Sequence, residues 1–138
     1  LSLPQKKNIF ENISAPYENN FDLESLDDSF YFETPGNLLK YLMILVDNKI
    51  TSLNDKLSCI LNLAENNKKN ISHFTLTFIS LLIEIFYNDL ILKNNINLNY
   101  FLFNKLKLIQ EIQNVKKFNL DTKSMFISLH GALSNETK

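Results

Sequence analysis

At 138 residues, with 45% of them hydrophobic, the chain has material for one packed domain, or for one domain and part of another. A net charge of −1 gives no global field toward nucleic acid or an anionic membrane, and all fourteen basic residues are Lys. The lack of Arg excludes arginine fingers and bidentate phosphate, carboxylate or guanine recognition, and the lone Cys59 excludes an internal disulfide and a cysteine metal cluster.

In chain order, Ser2 to about Ile13 predicts a short helix, with Pro4 tolerated in its first turn and Ile9, Phe10 and Ile13 on one face. Ser14 to Asn20, with Pro16 and paired Asn, reads as a loop. Asp22 then caps a short helix whose Leu23, Leu26 and Phe30 share a face. These first thirty or so residues read as a separate, less tightly packed piece.

Thr34-Pro35-Gly36 is a helix start. The Thr34 hydroxyl is placed to accept a backbone N–H, and Pro35 is pre-set for the first helical position. Leu38, Leu39, Leu42, Leu45 and Val46 face inward until Asp47-Asn48-Lys49 breaks the pattern. Ser52 to Asp55 is a near capping box, with Asp in place of Glu or Gln, so Ser52 is a predicted cap. Leu53, Leu57, Ile60, Leu61 and Ala64 follow at helical spacing, and Cys59 on that pattern reads as a buried thiol.

From Ser72 to about Lys93 the chain is apolar almost all round. Glu84, Asn88 and Asp89 interrupt the run short of the roughly 18 apolar residues that a membrane span needs, so a central packed helix is the reading. Asn94-Asn95 is a turn. Asn97 caps a long helix with Leu98, Phe101, Leu102, Leu106, Ile109 and Ile112 inside, and Lys105, Lys107, Glu111, Lys116 and Lys117 outside. Tyr100-Phe101-Leu102-Phe103 is too broad an apolar arc for one buried stripe, which marks Tyr100 and Phe103 as candidate interface residues. Asp121 caps the last helix, with Met125, Phe126, Leu129 and Leu133 inside. Leu120 is expected to pack at its start and to contribute to an interface, and Gly131 is expected at a close helix contact.

The result is all-α, a compact bundle of about five helices from residue 34 onward, preceded by a short helical remnant. No phosphate loop exists, because the two glycines are far apart. His73 and His130 belong to no ligand-spaced cluster, and no nucleophile, base and orienting acid share a spacing. Glu24, Asp27 and Asp28 read as a solvated face. Lys68-Lys69 and Lys116-Lys117 are too few for a nucleic-acid footprint, and the latter pair suits a helix C-terminus.

Two segments carry a family resemblance. Glu33-Thr34-Pro35-Gly36-Asn37-Leu38-Leu39 resembles the segment that leads into the collar domain of the bacterial DNA polymerase III clamp-loader delta-prime subunit. Asn119-Leu120-Asp121-Thr122-Lys123 resembles the segment before the last helix of that family. The similarity covers about residue 23 to the end, and Asn37 stands where the family has a basic residue. The resemblance implies that 1–33 is the end of a lid region or linker and 34–138 a collar domain. It also implies a fragment of a longer protein, without catalysis, cofactor or metal, inside a complex of the DNA polymerase III holoenzyme. Its implied partners are the tau/gamma and delta subunits, with DNA met only through the complex, no membrane contact, and a cytoplasmic location. The alternative is a free-standing helical adaptor or regulatory protein-interaction domain.

Overall fold

The computed structural model describes residues 2–67, 69–93, 98–118 and 120–135. Among the described residues there are six α-helices and three 3-10 turns, and no strand. The chain packs as two compact units, Leu1–Asp55 and Lys56–Lys138.

The first unit contains α1 (Leu3–Ser14), 3-10 turns at Ala15–Tyr17, Leu23–Ser25 and Asp28–Phe32, and α2 (Pro35–Asp47). A full capping box opens α1: Gln5 N–H donates to Ser2 Oγ at 3.4 Å, and Ser2 N–H donates to Gln5 Oε1 at 2.8 Å. The buried stripe of α1 is Phe10 and Ser14, whereas Ile9 and Ile13 are more than one-third exposed, which corrects the face expected from the sequence. Four residues separate Phe10 from Ser14, so both point at α2 and the third 3-10 turn, on which α1 packs. Phe10 meets Tyr31 edge-on, with ring centroids 6.0 Å apart.

Residues before Thr34 therefore do not form a loose separate piece. Phe10, Phe21, Phe30 and Tyr31 are buried in the same unit as Leu38, Tyr41, Leu42 and Leu45 of α2. The expected helix after Asp22 is two 3-10 turns instead, with Leu26 and Asp27 extended between them. Long-range bonds impose this shape. Asp22 N–H donates to Thr51 O at 2.8 Å, and Leu53 N–H donates to the buried Ser25 hydroxyl at 2.9 Å.

A Schellman motif ends α2. Lys49 adopts φ 60, its N–H donates to Val46 O at 3.0 Å, and Ile50 N–H donates to Leu45 O at 2.9 Å. Ile50 and Leu45 are both buried, which supplies the hydrophobic contact typical of this ending.

The second unit is α3 (Lys56–Asn66), α4 (His73–Lys93), α5 (Leu98–Phe118) and α6 (Thr122–Asn135). Each helix packs on the next, and α6 also touches α3, closing a four-helix arrangement with short connections. Its core contains Ile60 and Leu63 of α3, Ile79, Leu82 and Ile83 of α4, Ile112 of α5 and Leu129 and Leu133 of α6, all nearly inaccessible. Each fully buried side chain of this size contributes about 1.5–3 kcal/mol of transfer free energy.

The stripe of α3 is Cys59, Ile60, Leu63 and Ala64, while Leu57 and Leu61 are half-buried, so the helix is rotated from the expected face. α4 has the length and composition to cross a membrane, but eight of its residues are buried against its neighbours in this unit. Ser72 caps it, with Oγ accepting Thr75 N–H at 3.1 Å. Two Lys side chains expected outside tie α5 to α4: Lys116 Nζ donates to Thr77 Oγ1 at 2.6 Å and Lys105 Nζ to Asn88 Oδ1 at 3.2 Å. Lys56 at the start of α3 lies 3.7 Å from the Asp89 carboxylate of α4. Expected features at Lys68, Asn94, Asn95, Asn97 and Asn119 lie outside the described residues.

Candidate protein-interaction surface

Three of the helix starts expected from the sequence, at Thr34, Ser52 and Asp121, have different fates. Thr34 is the N-cap of α2, where its Oγ1 accepts Asn37 N–H at 3.2 Å and Pro35 takes the first helical position. The Asn37 amide turns back to Glu33, donating to Oε2 at 3.4 Å. Asp121 precedes α6 directly and accepts Lys123 N–H on Oδ1 at 3.1 Å. The carboxylate thus sits at the positive end of the α6 macrodipole.

Ser52 is not at the cap position of α3, which begins four residues later at Lys56. The reason lies in Leu53. It is fully buried, and its N–H is held by Ser25 of the first unit, so residues 53–55 bend instead of entering a helix.

Tyr100 and Phe103 are 50% and 67% exposed, on the surface of α5. Leu106, expected in the core, is 62% exposed on the same side. At about 100° per residue, Phe101, Leu108, Ile112 and Val115 define one buried stripe, and Phe103 and Leu106 fall on the opposite side. Leu120 is 52% exposed, so it is not the buried hydrophobic staple expected beside Asp121. Its N–H donates to Val115 O at 3.3 Å, which finishes α5.

Grooves formed by the described residues include two of note. One, of about 610 Å3, lies between α3 and α6 and is lined by Glu65, Asp121, Thr122, Lys123, Phe126, Ile127 and His130. Phe126 therefore faces this groove, half-buried, instead of the core. Thr122 and His130 stand eight residues apart on one helix, about 12 Å along its axis, too far for a hydroxyl–imidazole proton relay. The other groove, of about 490 Å3, lies in the first unit between Glu18–Asp22 and Thr51–Asn54 and is mostly polar. No group of three or more potential metal ligands of the His, Cys, Asp and Glu types occurs among the described residues.

Of the carboxylates read as a solvated face, Asp28 is held in an ion pair. Asp28 Oδ1 accepts from Lys7 Nζ at 2.7 Å, and the same ammonium lies 5.3 Å from the centre of the Tyr31 ring. The hydrogen bond to Asp28 raises the Lys7 ammonium above its ordinary pKa. Burial raises the Tyr31 phenol, against the pull of the Lys7 charge, and burial also raises Tyr41. The Lys7–Asp28 bond and the burial of the two phenols account for these shifts.

Gly131 has open space where a side chain would begin, with nothing within 4 Å, so the close helix contact expected there is absent. No family model, curated protein or solved structure matches the chain.

Proposed function

We propose that the chain is a non-catalytic oligomerisation part of a bacterial DNA polymerase III clamp-loader delta-prime subunit, acting in the cytoplasm in support of sliding-clamp loading onto DNA. The observation that carries this reading is the pair of segments at Thr34-Pro35-Gly36 and Leu120-Asp121. Each stands at the start of a helix with its capping side chain engaged, and the four helices α2 to α5 lie between the two starts. The all-helical architecture supports the same reading. Its partners are the tau/gamma and delta subunits, and the exposed apolar face of α5, with Tyr100 and Phe103, is the surface offered to them.

The test is association. The full-length protein should co-purify with the tau/gamma and delta subunits when they are mixed. The chain itself should show no saturable ATP binding at micromolar concentration by calorimetry, because it has neither phosphate loop nor Arg. Failure to join any subunit would remove the reading. The exposed α5 face equally suits the second reading, a free-standing helical adaptor, which predicts a stable partner outside replication.

A further inference from the structure

We draw no further inference here: the strongest candidate, the groove between α3 and α6 walled by Phe126 and Ile127, carries none, because the Glu65 and Asp121 carboxylates and the Lys123 ammonium line it together without selecting the charge of an occupant, and nothing in the structure shows what covers it.

Discussion

Ser25→Ala isolates the long-range bond that shapes the first unit. The Ser25 hydroxyl donates to Asp22 O at 2.6 Å and accepts Leu53 N–H at 2.9 Å. Asp22 O keeps a second donor, Ser25 N–H at 3.1 Å, so its loss is small. Leu53 is fully buried, and without the hydroxyl its N–H is left in the core without that acceptor. An orphaned buried donor costs about 1–3 kcal/mol, and about 2 kcal/mol is expected here. In urea, with a slope of about 2 kcal/mol per molar, that displaces the midpoint by about 1 M at unchanged slope. Amide exchange at Leu53 should accelerate about 30-fold if it exchanges through the same opening. Ser29→Ala, at an exposed position, should change stability by less than about 0.5 kcal/mol. If Ser25→Ala is as mild as Ser29→Ala, the bond does not hold the 22–27 segment in its observed shape.

Gly131→Ala should stabilise α6 by about 1 kcal/mol in thermal or denaturant unfolding, since a methyl there meets nothing within 4 Å; destabilisation would mean that the helix has a neighbour at that position. Asp121→Ala should cost about 0.5–2 kcal/mol through loss of the bond to Lys123 N–H, and Asp121→Asn should recover most of it. Stability should also fall above about pH 10. Lys7, Tyr31 and Tyr41 all hold their protons more tightly folded than unfolded, so the folded state binds more protons there and the slope of stability against pH is negative. Below the ordinary lysine and tyrosine values the contribution is intact. Unfolding followed from pH 8 to 11.5 should show the decline, and Tyr31→Phe should flatten it; constant stability to pH 11 would contradict the burial of these phenols.

The helical class was legible because apolar residues recur at helical spacing along α3 and α5, and because the apolar run of α4 is longer than a strand. The starts at Thr34 and Asp121 were legible because a capping side chain acts within three residues of itself. Which face turns inward was less so. In α1, α3 and α5 there are more apolar residues than one stripe accommodates, and the neighbouring helices choose among them. That choice leaves Ile9, Ile13 and Leu106 exposed and buries Leu63, whereas Cys59 is buried as its place on the apolar pattern indicated. The turn at Lys49 was hidden because the left-handed position carries Lys where Gly is the usual signal. The role of Ser25 was hidden because its partner Leu53 is 28 residues away. Of the candidate surface, Tyr100 and Phe103 were visible as an overbroad apolar arc, while Leu106 looked like core until the packing of α5 set its orientation.

The central claim is membership of a clamp loader, and its most direct test is functional replacement. Tau/gamma and delta subunits from the same source, lacking their delta-prime member, are mixed with the full-length protein, a labelled sliding clamp and primed DNA. The account predicts a stoichiometric complex and ATP-dependent appearance of the clamp on DNA, with ATP consumed by the other subunits. If the complex forms without this protein, or the clamp reaches DNA at the same rate in its absence, the clamp-loader account is contradicted and the adaptor reading takes its place.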